Sequence, residues 1–237
     1  MVVEQRSHNP LIPLSTFRIK GLAPADVTML VGAAGIIAMF YFLTLYMQLV
    51  LGFSPMQTGA AYLPFTAGVA VAAGGSSQLV TRIGTRPVLV AGAVVASGGL
   101  YQLSHISVGG SYLGGLLPGM LITSVGLGAL FVAVTTAANA GVPADRAGLA
   151  AALMNACQQV GGAVGLAVFS AIATARTNHL FTLHAAPAHA LTSGFHRALL
   201  VESLFVLATA LVALRTTNSR GEIDSGTPEP EIVRAGR

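Results

Sequence analysis

The stretch Met154-Asn155-Ala156-Cys157-Gln158-Gln159-Val160-Gly161-Gly162-Ala163-Val164-Gly165 places three amides inside an apolar run that extends over about Ala147–Ala175. The run carries no charge. It is far longer than the roughly 9–11 residues of a membrane-spanning β-strand, and it lacks the strict alternation such strands require. A helix needs about 20 apolar residues to cross a hydrocarbon layer about 30 Å thick, and this run supplies them. It is read as a transmembrane helix. The amides then need a physical account, because a polar side chain at that depth must turn away from lipid.

Five further runs have the same character: about Val27–Leu51, Met56–Val80, Val88–Ile106, Tyr112–Ala140 and Ala198–Leu214. The 237-residue chain is 54% hydrophobic and 8% charged, with a mean hydropathy of +0.74. Soluble domains carry about 25% charged residues, so this chain cannot cover its surface with polar groups. The expected fold class is an all-α integral membrane protein with six transmembrane helices. Helices satisfy their own backbone hydrogen bonds, which lipid cannot do. The expected domains are a cytoplasmic linker at 1–25, a six-helix bundle at 26–215 and a disordered cytoplasmic tail at 216–237, rich in Gly, Pro, Ser and Glu. Residues 1–25 contain no apolar core of the kind a cleavable signal peptide has.

The breaks between runs carry helix punctuation. Ser54-Pro55 suits an N-cap followed by proline at the first helical position. Pro87 opens the third helix, and Pro143-Ala144-Asp145 precedes the fifth. Pro64 and Pro118 fall inside helices and are expected to bend them. Asp26 is read as an N-cap of the first helix. Six helices put both termini on one side. If that side is cytoplasmic, it holds ten of the 12 Lys and Arg residues, leaving only Arg176 and Arg197 outside. This is a strong positive-inside signal, and it accounts for the net charge of +4 without a nucleic-acid partner.

The polar residues fall into stripes. Asn155, Gln159 and Gly162 share one face of the fifth helix, extended backward by Gly148. Ser124, Gly128, Thr135 and Asn139 form a stripe on the fourth helix. Tyr41, Thr44 and Gln48 do so on the first. Two readings apply. Glycines such as Gly161, Gly162 and Gly165 allow close helix packing, and amides bond across helices. Alternatively the amides and Tyr41 line a water-filled cavity. The reading taken gives the glycines to packing, and Tyr41, Thr44, Gln48, Thr135, Asn139, Asn155 and Gln159 to a substrate cavity.

Other chemistry is sparse. The segment Thr177–Arg197 is read as the longest external loop, solvated, with His179, His184, His189 and His196 on it. Glu202 is the one carboxylate inside an apolar run. It is either a proton site or a carboxylate near the outer surface that reaches water or Arg197, and the sequence favours the second. The single Cys157 excludes an intrachain disulfide and a cysteine-rich metal site. No metal, no cofactor and no catalytic residue are expected. The histidines lie in tails, loops or loop edges, and no helix carries a HExxH pattern.

At the turn between the second and third helices stands Ser77-Gln78-Leu79-Val80-Thr81-Arg82-Ile83-Gly84-Thr85-Arg86-Pro87. It resembles the signature loop of the major facilitator superfamily, Gly-x-Leu-x-Asp-Arg-x-Gly-Arg-Arg, with Leu79, Arg82, Gly84 and Arg86 matching. Thr81 replaces the signature's Asp. Tyr46–Gly59 and Ala140–Gly165 resemble segments of fourteen-helix drug:proton antiporters of the QacA/EmrB type. The match covers nearly all the chain up to about residue 215 and aligns it with the last six helices of such a transporter.

The resemblance implies a half-bundle built as a 3+3 inverted repeat, with the first, second, fourth and fifth helices facing the cavity. It implies the C-terminal half of a proton-coupled efflux transporter for small molecules. The partners would be a missing N-terminal half that carries the main proton-coupling acid, the substrate, protons and the lipid bilayer. Alanine, glycine, valine and arginine usage points to a GC-rich bacterial genome, and hence to a bacterial plasma membrane. The alternative is a non-transporting scaffold or an inactive truncated relic. An enzyme is not expected.

Overall fold

The computed structural model of the chain describes residues 22–140, 147–214 and Asn218. The described segments are helical, without a strand. Helix α1 covers Leu22–Leu45 and runs into a π-helical turn, Tyr46–Val50. A second span is made of α2 (Pro55–Ala61) and α3 (Leu63–Ile83). Then come α4 (Thr85–Ser104), a π turn (Tyr112–Leu116) leading into α5 (Leu117–Asn139), α6 (Ala147–Thr182) and α7 (Pro187–Ala213). All six spans are long and apolar enough to cross a membrane.

Local sequence explains most boundaries. Ser54 builds a capping box: its hydroxyl accepts from the Gln57 N–H at 3.2 Å, and the Gln57 side chain accepts from the Ser54 N–H at 2.9 Å. Pro64 has no N–H for the preceding turn, so the second span breaks at Tyr62 and resumes as α3. Pro118 follows the π turn Tyr112–Leu116, where the wider i→i+5 pattern accommodates the missing donor. Between α3 and α4 the chain reverses through Gly84 alone, at φ +90°, a conformation that favours glycine. The opposite end is stapled by tyrosines. The Tyr46 hydroxyl donates to the Ser107 carbonyl at 2.6 Å, and that of Tyr112 to the Ala61 carbonyl at 2.7 Å.

The two triplets of spans pack reciprocally. Span two (α3) lies along span four (α5), and span five (α6) lies along span one (α1). Helix α4 fills the middle between α5 and α7. This is the pairing expected of an inverted repeat. Glycines bring the backbones together. A Cβ on Gly92 would come within 2.9 Å of the Gly126 carbonyl oxygen, and one on Gly126 within 2.6 Å of the Gly92 carbonyl oxygen. On the other seam, Gly161 lies against the Leu30 backbone and Gly165 against Ala34.

Three sequence expectations are corrected. The segment Thr177–Arg197 is not a loop. Helix α6 continues to Thr182, α7 begins at Pro187, and only a short turn with His184 at φ 58° connects them. At 36 residues, α6 is about 54 Å long, well beyond the bilayer, so helix ends and apolar ends do not coincide. Among the described residues no three of His, Cys, Asp or Glu converge as metal ligands would. Asp26 is not an N-cap, because α1 starts at Leu22 and leaves Asp26 inside the helix, buried, with neither carboxyl oxygen hydrogen-bonded. Glu202 neither reaches water nor pairs with Arg197. Five residues at 100° each turn it about 140° from that arginine, into the bundle. It is fully buried beside Gly35 of α1, and both oxygens lack a hydrogen-bond partner. The linker reading of 1–25 lies outside the described residues up to position 21, and α1 already occupies the rest of it; the capping role of Pro143 and Asp145 and, apart from Asn218, the tail reading of 216–237 also lie outside them.

Two predictions follow from the packing. Gly126→Ala forces a methyl group into the backbone of α4 and is expected to destabilise the bundle by about 1–3 kcal/mol. Gly98→Ala, at an open position, should change stability by less than about 1 kcal/mol or raise it slightly. Thermal unfolding of the purified chain in detergent compares them, and equal effects would refute the seam. An acidic side chain in a dry interior without a partner is unfavourable in either protonation form. Glu202→Met is therefore expected to raise the unfolding midpoint, by the equivalent of about 1–3 kcal/mol. A lowered midpoint would reveal a stabilising partner for the carboxyl group.

Candidate functional site

The sequence stripes do not converge on one cavity. They divide between two clefts at opposite ends of the bundle. The first, about 230 Å³, lies near the terminal end between α1, α5 and α6. It is lined by Met29, Phe131, Thr135, Asn139, Ala151, Met154, Asn155 and Gln158. It thus gathers Thr135, Asn139 and Asn155 from the seven cavity candidates. The Thr135 hydroxyl donates back to the Phe131 carbonyl at 2.8 Å, and the Asn139 amide to the Thr135 carbonyl at 2.8 Å. Both side chains are thereby held along α5, with their acceptor oxygens left for other donors.

Helix geometry explains which amide enters this cleft. Gly161, Gly162 and Gly165 face α1 and fix the rotation of α6. At 100° per residue, Gln158 shares their face, whereas Gln159 swings about 100° further round. Gln158 therefore lines the cleft and Gln159 stands exposed beside it. Asn155 lies between these directions, exposed and on the cleft wall. Of the fifth-helix stripe, Gly162 lies against Ile37, while a Cβ on Gly148 would meet nothing within 4 Å.

The second cleft, about 150 Å³, lies toward the other end between α1, α6 and α7. Tyr41, 44% exposed, lines it with Phe42, Ser170, Thr174, Thr177 and Phe195 among others. Ser170, Thr174 and Thr177 were missed in the sequence reading. Their i, i+4, i+7 spacing marks a single face of α6, the signal already used for Asn155 and Gln159. Thr44 does not join Tyr41. It shares a hydrogen bond of 3.0 Å with the Tyr62 hydroxyl, which donates to the Phe40 carbonyl at 3.0 Å. Gln48 falls in the π turn, whose extra residue rotates the following side chains out of the α-helical stripe. It lines neither cleft. Ser124 and Gly128 of the α5 stripe are buried against α3, near Gly68 and Val69.

The α3–α4 turn presents Leu79, Arg82 and Arg86 at the surface around buried Gly84. The Arg86 N–H donates to the Asn218 side chain at 3.1 Å, capping the start of α4. Exposure is uneven among the spans. Only 17% of the apolar centre of the α2–α3 span and 28% of that of α6 are buried, against 56% for α1, α4 and α5. Asn155 and Gln159 sit on one of these two poorly covered helices.

Comparison with known proteins agrees with this architecture. The profile of the Major Facilitator Superfamily matches residues 3–166. The puromycin resistance protein pur8 of Streptomyces alboniger is 32% identical over 244 residues, covering 99% of this chain and 48% of the relative. The cephamycin export protein CmcT of Amycolatopsis lactamdurans is 32% identical over 218 residues, covering 90% and 43%. The tetracenomycin C resistance and export protein of Streptomyces glaucescens is 32% identical over 178 residues, covering 75% and 33%. The chain spans about half, or less, of the length of the curated relatives it matches. With six membrane-competent helices in reciprocally packed triplets and a profile match over most of its length, this multi-pass chain belongs to the Major Facilitator Superfamily.

Proposed function

We propose that this chain supplies the C-terminal wall of the central cavity in a proton-coupled exporter of small organic molecules, acting with an N-terminal half-bundle. The observation that carries the reading is the placement of Asn155 and Gln159. They are polar and exposed on α6 within its uncharged run, a face that lipid would cover less favourably than a polar partner. A second half-bundle enclosing water and substrate gives that face a polar environment. The extent of the similarity supports such a partner, since the relatives continue well beyond the matched region.

In this reading Thr135, Asn139, Asn155, Gln158 and Gln159 offer neutral donors and acceptors near Phe131, while Tyr41 serves the cleft at the opposite end. Such a surface suits amphipathic compounds with scattered polar groups, and the resistance and export proteins it resembles support that class. The two carboxylates among the described residues, Asp26 and Glu202, line neither cleft. Proton coupling is therefore assigned to an acid on the other half. This chain is assigned no catalytic chemistry. The charge split between its ends supports cytoplasmic termini, and the bacterial relatives support a bacterial plasma membrane location.

The test is chemical accessibility in the assembled transporter, after Cys157→Ser. Cysteines at Asn155 and Gln159 are expected to react with a water-soluble thiol reagent, and export substrate should slow the labelling. A cysteine at Leu204, 60% exposed on α7 and facing lipid in this reading, should react at least about tenfold more slowly. Asn155→Ala combined with Gln159→Ala should lower export several-fold at unchanged abundance. Labelling at Leu204 but not at Asn155 or Gln159 would remove the cavity assignment.

A further inference from the structure

A third cleft, of about 470 Å³, is separate from the two polar clefts. It lies between α6 and α7 and is lined by Ile172, Ala175, Arg176, His179, Arg197 and Val201. The α6 residues follow i, i+3, i+4, i+7 and the α7 pair i, i+4, so each helix gives one continuous face. The level of the cleft is set by sequence. The apolar run of α6 ends at Ala175, immediately before Arg176, and that of α7 begins at Ala198, immediately after Arg197. Two arginines from neighbouring helices thus stand together where the two uncharged runs end, at the end of the bundle away from the termini. Beneath them, Ile172 and Val201 continue toward the membrane centre, where Phe169 and Phe205 pack with ring centroids 5.7 Å apart.

No described carboxylate opposes the charge at this rim. Asp26 and Glu202 are the only carboxylates among the described residues, and both are buried elsewhere in the bundle. Glu202 adjoins Val201 in sequence but points into the interior. The Arg176 guanidinium is partly positioned already, because its Nε donates to the Ser193 hydroxyl at 3.1 Å. Its terminal nitrogens, the exposed Arg197 guanidinium and the His179 ring remain to bind an acceptor. A guanidinium pair above an apolar groove matches a molecule with a phosphodiester at the membrane surface and a hydrocarbon chain below it.

We propose that the α6–α7 cleft binds an anionic phospholipid, with Arg176 and Arg197 holding the phosphodiester, His179 contributing a hydrogen bond, and Ile172 and Val201 receiving an acyl chain. The site shares no lining residue with the polar clefts and does not depend on the transport reading.

The test measures lipid binding to the full chain, purified in mild detergent and delipidated, by native mass spectrometry. The titrants are phosphatidylglycerol, phosphatidylcholine of the same acyl chains, and inorganic phosphate. Phosphatidylglycerol is expected to bind at least about tenfold more tightly than phosphatidylcholine, and Arg176→Gln with Arg197→Gln should abolish that preference. Inorganic phosphate should not compete at millimolar concentration, because it lacks the acyl chain. If the double variant does not fold, Arg197→Gln alone, at an exposed position, should reduce the preference at least threefold while the helical circular dichroism is kept. Equal affinity for the two lipids would overturn the proposal. So would an undiminished preference in the variants, and so would competition by phosphate, which would indicate a free-anion site. Dimer formation through this face in place of lipid binding would also overturn it.

Discussion

Close approach of helix backbones at glycine is the contact on which this bundle depends. Between helices in lipid there is no hydrophobic driving force of the aqueous kind, because the tails are as apolar as the side chains. Dispersion between closely packed backbones has to replace it. Two seams supply that contact: Gly92 and Gly99 of α4 against Gly119, Thr123 and Gly126 of α5, and Gly161 and Gly165 of α6 against Leu30 and Ala34 of α1. The seams also fix helix rotation. Once α6 is pressed onto α1 through its glycines, the directions of Gln158, Gln159 and Asn155 are set by helix geometry alone. The packing and cavity readings of that stretch are thus two consequences of one arrangement, on adjacent sides of one helix.

The distribution of polar groups follows from the same constraint. Most hydroxyls inside the bundle bond along their own helix, as Thr123 does to the Gly119 carbonyl at 2.8 Å, or to a neighbouring backbone, as Ser97 does to the Ser203 carbonyl at 2.8 Å, whereas that of Thr192 has no partner. Amides have more donors and acceptors than one neighbouring carbonyl can satisfy, and Asn139, Asn155, Gln158 and Gln159 sit at the edges of α5 and α6. The least covered spans, α2–α3 and α6, occupy equivalent places in the two triplets. That symmetry of exposure is what a half-bundle presents when its partner docks along both flanks, and it supports the proposed role as one wall of a larger transporter.

Much of this was legible in the sequence, for definable reasons. Helix number and type follow from run length and low charge, and capping at Ser54 and the break near Pro64 follow from local chemistry. Four features differ from what the sequence suggests. Helix ends beyond the apolar run were invisible: a hydropathy reading stops at Ala175 and restarts at Ala198, while the helices continue to Thr182 and begin at Pro187. The π turn at Tyr46–Val50 has no proline to announce it, and it moved Gln48 out of the expected stripe. The burial of Glu202 was misjudged from nearness in sequence to Arg197, although the angular offset between them was calculable beforehand. The α4–α5 glycine seam has no amide or charge immediately beside its glycines to mark it in the sequence.

A bundle joined backbone to backbone has little compliant material inside it. Long side chains can change rotamer and let two helices slide, but a glycine facing a carbonyl oxygen has no such freedom. Relative movement of α4 and α5, or of α1 and α6, would forfeit the contacts that hold the triplets together. Conformational change during any transport cycle is therefore expected at the poorly covered flanks of α3 and α6, leaving the six helices to move as one body. Arg176 and Arg197 lie on the side of α6 and α7 where no described carboxylate competes for them. The polar edges of α5 and α6 share no residue with the α6–α7 cleft and stay free to face the proposed partner.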